Sequence, residues 1–284
     1  LSAVPQRTDV VFYDEAVHAS LRDGIRLGHA RAYSFAHNNL EALQNRAETV
    51  LSGRSPGTEV YVVTESVFSM EGDGPPLKEL LALCHSKGFR LILDEAHAVG
   101  VLGPQGRGRL QGDCPGEAVF ARIVTFGKAL GGHGAAILGS AELRDFLVNF
   151  SRSLIYTTAL PPLSLKHLAE SYQRLQGREG QEALKAVRGN IRLFQETARH
   201  HGLEEVLPPA LAAIRCCRIG DSQRALEISR DLATAGFDVR AMRPPTVPEG
   251  SECLRFCLHS FNTRAEIQGV LSTLARALKT RMHA

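Results

Sequence analysis

The 284-residue sequence has few cysteines, and their spacing does not indicate a disulfide framework or a zinc site. Six cysteines occur, at positions 84, 114, 216, 217, 253 and 257. Two of them are adjacent, and no C-x-x-C pair or histidine-rich partner accompanies the others. We therefore expect reduced thiols in a cytoplasmic protein, several of them in buried strands, and no metal site.

Long apolar runs and a strong charge of one sign are missing as well. No uncharged stretch approaches the ~20 apolar residues of a membrane span. Arg7 and Asp9 interrupt the start of the chain, where a signal peptide would need an apolar segment. The 33 Lys+Arg and 30 Asp+Glu leave a net charge of only +3, which is too small to indicate nucleic acid or an anionic membrane. We therefore expect neither as a partner.

The first 160 residues alternate between strand-like and helix-like patterns. Leucines, alanines and valines recur at helical spacing over 40–51 and 77–84, and Gly53 and Gly88 follow as stop signals. Predicted strands lie at 9–12, 60–63, 89–93 and 123–125. This alternation favours an α/β fold with a mainly parallel sheet.

The pattern changes at the adjacent prolines Pro161 and Pro162. The remaining segments are predicted as helical over 163–201, strand 212–217, helix 222–235, strand 237–240, strand 254–258 and an amphipathic helix 263–280. We therefore predict a large α/β domain over 1–162, followed by linking helices and a smaller C-terminal α+β domain over 163–284.

The segment T-F-G-K-A-L-G-G places Lys128 among small residues directly after a predicted strand. Glycine allows the backbone to approach a ligand closely. A desolvated lysine loses its proton more readily and becomes a nucleophile. A lone lysine in such a loop is more often an exposed charge, and it is the neighbouring motifs that favour the nucleophile.

Asp94 and His97 begin the segment D-E-A-H-A-V-G, where the predicted strand 89–93 ends. Ligands of parallel α/β sheets bind beyond the carboxyl ends of the strands. An acid there can pair with a cationic ring nitrogen, and an imidazole can donate to a phenolate. Asp94 can also be a helix N-cap. A helicase is excluded, because the sequence has no phosphate-binding G-x-x-x-x-G-K-[ST] loop.

Three further residues have more than one interpretation. Ser69, in E-S-V-F-S-M-E-G-D-G after another strand, is either a donor to a ligand or part of a turn. Arg255 lies between apolar neighbours in a strand, where a carboxylate partner is needed. That partner is a substrate or an internal acid. His18 lies near the start of the chain, and one loop histidine means little by itself.

These segments together resemble one family. T-F-G-K-A-L-G, D-E-A-H-A-V-G, H-A-S-L, E-S-V-F-S-M-E-G-D and L-R-F-C-L are similar to motifs of the α-oxoamine synthases, pyridoxal 5'-phosphate (PLP) enzymes of fold type I. The resemblance extends over residues 9–280. R-P-P-T-V-P at 243–248 is most similar to the biotin-pathway branch. It implies condensation of L-alanine with pimeloyl-CoA, or its carrier-protein thioester, with loss of CO2.

The resemblance implies catalytic roles for four residues. Lys128 would bind the cofactor as a Schiff base and later move the α-proton. Asp94 would pair with the pyridinium nitrogen, which keeps the ring an electron sink. His97 would hydrogen-bond the phenolate oxygen, and His18 would stack on the ring.

It also implies five further contacts. Ser69 would lie on the phenolate side of the cofactor, Thr125 would bind the phosphate, and Thr157 would reach the phosphate of a neighbouring subunit. Arg255 would bind the carboxylate of the amino acid, and Thr246 would lie near the substrate. The family also implies a homodimer with its sites at the interface.

The sequence departs from the family pattern at Glu71 and Asn39, where aspartate is usual, and both changes keep a polar residue. Family members also carry an N-terminal part before the equivalent of Leu1, with a phosphate-binding loop and part of the dimer interface. Two alternatives follow. One is a synthase that uses glycine or serine with another acyl-CoA. The other is a shortened, catalytically silent homologue that acts as a partner subunit.

Overall fold

The computed structural model describes residues 1–54, 57–110, 119–210 and 212–280. The chain divides into two compact units, one formed by Leu1–Phe68 with Gly74–Leu175, the other by Ser69–Asp73 with Gln176–Ala284. The predicted division into domains 1–162 and 163–284 stays a prediction. Cys114 lies outside the described residues, and the other five cysteines are free.

The first unit contains a six-stranded sheet in the order β2-β1-β3-β4-β5-β6. Strands β1 to β5 pair in parallel, and β6 pairs antiparallel with β5. This confirms the predicted α/β fold with a mainly parallel sheet. The strands are β1 (Val10–Asp14), β2 (Arg31–Phe35), β3 (Val60–Glu65), β4 (Arg90–Asp94), β5 (Val119–Thr125) and β6 (Ala135–Gly139).

Helices cover both faces of this sheet, so its central strands are buried on both sides. All six residues of β3 are buried, as expected for a continuous apolar run in a parallel sheet. The helices are α1 (Ala19–Arg26), α2 (Leu40–Leu51), α3 (Leu77–Lys87), α4 (Ala141–Phe150), α5 (Arg152–Ile155) and α6 (Pro162–Gln176).

The two sheet faces carry separate apolar cores. On one face, Val62 and Leu91 pack in a cluster with Leu43 of α2 and Leu80 of α3. On the other face, the cluster contains Val63, Ile92, Leu21 and Leu143. α3 ends where Gly88 adopts a left-handed conformation with φ 67°, which fits the predicted stop.

The second unit is the predicted smaller α+β part. Its three-stranded antiparallel sheet has the order β7-β9-β8. The elements are α7 (Arg178–His200), β7 (Ile214–Arg218), α8 (Ser222–Thr234), β8 (Arg240–Met242), β9 (Cys253–Cys257) and α9 (Arg264–Thr280). Within the described ranges, no helix combines the length and the apolar character that crossing a membrane requires.

Candidate active site

Three polar residues end neighbouring strands on one face of the first unit's sheet. Glu65 ends β3, Asp94 ends β4 and Thr125 ends β5. Glu65 lies opposite Asp94, and Asp94 lies opposite Ile123, which is two residues before Thr125. Because paired residues of parallel strands point to the same side, all three side chains lie on one face. This edge is where parallel sheets bind ligands.

Lys128 and His97 meet beside this edge. The Lys128 Nζ lies 2.6 Å from the His97 Nε2. The Lys128 side chain is exposed and His97 is half-buried. Gly100 allows the two turns to approach, because a Cβ there would lie only 2.4 Å from the Cβ of Ala129. The lysine of T-F-G-K-A-L-G and the histidine of D-E-A-H-A-V-G are therefore in direct side-chain contact.

Asp94 is a buried acid with cationic neighbours. Its side chain accepts a 2.8 Å hydrogen bond from the Ala96 backbone N–H, and only 7% of the residue is exposed. Residues 96–101 form turns, so Asp94 does not cap a helix. Burial raises the pKa of Asp94, while the Ala96 hydrogen bond and the charges of Lys128 and His18 lower it. A cationic ring nitrogen at this carboxyl would favour its ionised form further.

His18 is positioned by the start of α1. Its Nδ1 accepts a hydrogen bond from the Ser20 N–H and lies 2.8 Å from the Ser20 Oγ. Its backbone N–H donates to the Glu65 Oε1 at 2.6 Å. The imidazole is exposed at the helix N-terminus. The fold therefore fixes the His18 backbone through a buried acid and leaves the ring accessible.

Glu65 is the site residue that sequence reasoning missed. Burial and the neighbouring Asp94 raise the pKa of Glu65 to about 8, while the hydrogen bond from the His18 backbone and the charge of Lys128 lower it. The signal available in the sequence was an acid at the end of a continuously apolar strand.

The two predicted phosphate-binding threonines have different surroundings. Thr125 is half-buried at the carboxyl end of β5. Thr157 is exposed in the segment between α5 and α6. Phosphate binding by Thr125 and Thr157 stays a prediction.

The second unit holds the three remaining predicted site residues. Arg255 is half-buried in β9, and its buried Nε has no hydrogen-bond partner among the described residues. It also forms no ion pair within the described ranges, which favours an external carboxylate over an internal salt bridge. Thr246 is exposed in the loop after β8, and Ser69 is half-buried in the segment 69–73.

The functional groups of the first unit fit those of PLP. A buried carboxylate suits the protonated ring nitrogen, an exposed amine suits the aldehyde carbon, and an imidazole suits the phenolate oxygen. Asp94, Lys128 and His97 supply these groups. Thr125 adds a hydroxyl on the same sheet face for a phosphate oxygen.

Comparisons with known proteins agree with this chemistry. Residues 3–274 match the model of the aminotransferase class I and II family. The 8-amino-7-oxononanoate synthase of Marinobacter nauticus is 41% identical over 278 residues, which cover 98% of this chain and 68% of that protein. That of Klebsiella pneumoniae (strain 342) is 36% identical over 279 residues, covering 96% of this chain and 69% of that protein.

Two solved structures are also similar. Serine palmitoyltransferase from S. paucimobilis, with a bound PLP–myriocin aldimine, has a TM-score of 0.88 at 28% identity, covering 100% of this chain and 70% of that one. The 8-amino-7-oxononanoate synthase from Francisella tularensis has a TM-score of 0.80 at 30% identity, covering 99% of this chain and 78% of that one.

Proposed function

Because this chain belongs to the aminotransferase class I and II family, among its PLP-dependent α-oxoamine synthases, we propose that it condenses L-alanine with pimeloyl-CoA, or its carrier-protein thioester, to 8-amino-7-oxononanoate. It is a PLP-dependent acyltransferase, and the proposed product belongs to biotin biosynthesis. The observation that supports this most is the contact of Lys128 with His97 beside the buried Asp94. The curated relatives named 8-amino-7-oxononanoate synthase support the choice of substrates.

PLP supplies, when bound, an electron sink that stabilises negative charge at the α-carbon of the amino acid. Asp94 holds the ring nitrogen in its protonated form, because an ionised buried carboxylate favours a cation beside it. His97 donates to the phenolate oxygen. The Lys128 Nζ, which contacts the His97 Nε2 at 2.6 Å, would anchor the cofactor and would carry the α-proton.

The other proposed site residues bind and orient. The Arg255 guanidinium binds the carboxylate of the amino acid, which satisfies its otherwise unpartnered Nε. The His18 ring covers the cofactor ring and shields it from water. Ser69 contacts the phenolate side, and Thr246 lies near the substrate.

We further propose a cytoplasmic homodimer with its sites at the interface. The Thr125 hydroxyl would bind the cofactor phosphate of its own subunit, and Thr157 that of the neighbouring subunit. The exposure of Thr157 in the segment after α5 supports the latter role.

A second candidate is condensation of serine with a longer acyl-CoA. It is favoured by the TM-score of 0.88 to serine palmitoyltransferase, which exceeds the 0.80 to the 8-amino-7-oxononanoate synthase structure. Sequence identity favours the first candidate, since the curated relatives at 41% and 36% carry its name.

Thiol release from CoA thioesters separates these candidates. The PLP-loaded chain is given alanine, serine or glycine, each with pimeloyl-CoA or palmitoyl-CoA, and CoA release is followed with a thiol reagent. We expect the highest kcat/KM for alanine with pimeloyl-CoA. A preference for serine with palmitoyl-CoA would replace the first candidate by the second. Cofactor binding without any CoA release would favour the catalytically silent homologue.

A further inference from the structure

Glu65 and Asp94 form a pair of adjacent buried carboxyl groups at the sheet edge. The two residues lie directly opposite each other in β3 and β4, so their side chains are neighbours on one face. Only 2% of Glu65 and 7% of Asp94 is exposed. Two negative charges this close and this poorly solvated repel each other strongly.

Each carboxyl group of the pair has a different hydrogen-bond partner. The Glu65 Oε1 accepts the His18 backbone N–H at 2.6 Å, and the Asp94 Oδ1 accepts the Ala96 N–H at 2.8 Å. Glu65 therefore connects the sheet edge to the residue that begins α1. This hydrogen bond uses one of its two carboxyl oxygens.

The charges around the pair favour a proton on Glu65. Burial, Asp94 and Asp14 raise the pKa of Glu65, and the His18 N–H and Lys128 lower it, which leaves it at about 8. Burial also raises the pKa of Asp94, but there the Ala96 hydrogen bond and the positive charges of Lys128 and His18 all favour the ionised form. Two coupled carboxyl groups in such a site share one proton over a wide pH range.

We propose that Glu65 is a positioning residue of the active site, which holds the His18 backbone through one oxygen and keeps a proton on the other, so that the single negative charge of the pair rests on Asp94. The role in catalysis depends on the proposed function. The proposed protonation of Glu65 does not depend on it, because it rests on the chain's own carboxyl groups and their neighbours. Above neutral pH, ionisation of Glu65 adds a second negative charge beside Asp94 and disturbs the charge balance at the ring nitrogen.

Thermal unfolding tests the proton arrangement without any activity measurement. The pKa of Glu65 is 4.5 ordinarily and about 8 in the folded chain, so its contribution to stability is full below pH 4.5 and is lost as the pH rises through 8. The amide of Glu65→Gln cannot ionise and loses nothing over this range. We therefore expect the Tm of the wild type to fall relative to Glu65→Gln by about 3 °C or more between these pH values.

The exposed Glu79 of α3 provides the matched control. Glu79→Gln removes one carboxylate of the same kind and should follow the wild type throughout. If the Tm difference between wild type and Glu65→Gln stays constant over the whole pH range, the proposed protonation of Glu65 is wrong.

The PLP-loaded enzyme tests the positioning role. Glu65→Gln keeps an oxygen that accepts the His18 N–H, whereas Glu65→Ala does not. We expect Glu65→Gln to keep at least about tenfold more kcat than Glu65→Ala, in line with one buried hydrogen bond. We also expect it to lose the alkaline transition of the wild-type kcat profile near pH 8. KM for the amino acid should change little in both variants.

Two outcomes of this second experiment would overturn the positioning role. One is equal loss of kcat in Glu65→Gln and Glu65→Ala, and the other is an unchanged alkaline transition in Glu65→Gln. If the wild type condenses no thioester at all, the proposed function fails, and the absorption of the bound cofactor is then titrated instead. Loss of its transition near pH 8 in Glu65→Gln would support the proposal independently of catalysis.

Discussion

The Lys128 amine owes its position to a neighbouring side chain and not to burial. The sequence left open a desolvated or an exposed lysine, and the side chain is exposed, with its Nζ 2.6 Å from the His97 Nε2. Asp94, at the end of the neighbouring strand β4, is buried. Burial therefore affects the charge of Asp94, while Lys128 stays accessible to a ligand.

Lys128→Ala should abolish covalent attachment of PLP, because it removes the amine that contacts His97 at the carboxyl edge of the sheet. The measurement is borohydride reduction of the chain mixed with PLP, followed by peptide mapping. The wild type should carry a pyridoxyl group on Lys128 and show an absorption band that free PLP lacks. Lys166→Ala, an exposed lysine of α6, should behave like the wild type. A label spread over several surface lysines would contradict the assignment.

Arg255→Ala should raise the KM for the amino acid by at least about tenfold, the loss of one charge-assisted hydrogen-bonded contact, with a smaller effect on KM for the thioester. Arg255→Lys should recover little, since an ammonium cannot replace a bidentate guanidinium. Steady-state kinetics with each substrate varied in turn measure both effects. Arg240, its neighbour on β8, is exposed and paired with Asp238, so Arg240→Ala serves as control. Equal changes in the two alanine variants would argue against Arg255.

Most residues of the candidate site could be selected from the sequence, but not Glu65, the second buried acid beside Asp94. Lys128, Asp94 and His97 stand in short motifs, so they could be selected from the chain alone, and the structure places them together. Glu65 could not be selected in this way. Its significance comes from facing Asp94 across two strands and from its bond to the His18 backbone, which are long-range relations.

The elements show the same division between local and long-range signals. The predicted helices over 40–51 and 77–84 are present, because each has an apolar stripe and α3 has a glycine stop. The predicted helical segment 163–201 is two helices, interrupted at Gly177. The predicted strand 237–240 was misplaced, since the Phe237 N–H bonds back to Leu232 and closes α8, and β8 begins only at Arg240.

The edge strands β2 and β6 were not predicted. Most of their residues are exposed or half-buried. R-A-Y-S-F of β2 also lacks the apolar run that marks β3, whereas A-A-I-L-G of β6 is apolar but short. They are strands because β1 and β5 offer them hydrogen-bonding partners. No local property of R-A-Y-S-F indicates this, and the short apolar run A-A-I-L-G is compatible with a strand or a helix segment.

The turns after β4 depend on a buried ion pair. Glu95 is fully buried, its Oε2 lies 2.5 Å from the Arg122 Nε of β5, and its Oε1 accepts the backbone N–H of Arg109 and Leu110. Arg122→Met leaves Glu95 as an unpaired buried charge. We expect a loss of about 3 kcal/mol in the free energy of unfolding, measured by urea denaturation of the chain.

The exposed pair of Arg144 with Asp145 provides the comparison for this loss. Both partners are largely solvated, so Arg144→Met should change the free energy of unfolding by less than about 0.5 kcal/mol. If Arg122→Met is no more destabilising than Arg144→Met, the ion pair does not hold these turns.

At the scale of the whole molecule, exposed apolar side chains concentrate in one part of the chain. Nearly all large apolar residues that are exposed in the described ranges lie between residues 137 and 165, on β6, α4, α5 and the start of α6. Leu27 and Phe261 are the others. Exposed apolar residues that form a contiguous patch are typical of an interface, whereas single ones are ordinary.

We therefore expect the purified chain to form a homodimer, with a mass by light scattering of twice 30.9 kDa. Phe150, which is 64% exposed on α4, should be buried in that interface. Phe150→Asp would place a charge there, and desolvating it opposes association, so the dimer should dissociate at concentrations where the wild type remains dimeric. Phe261→Asp changes another exposed phenylalanine, 74% exposed and outside residues 137–165, and should leave the mass unchanged. A monomeric wild type, or equal dissociation of the two variants, would show that this surface does not join two subunits.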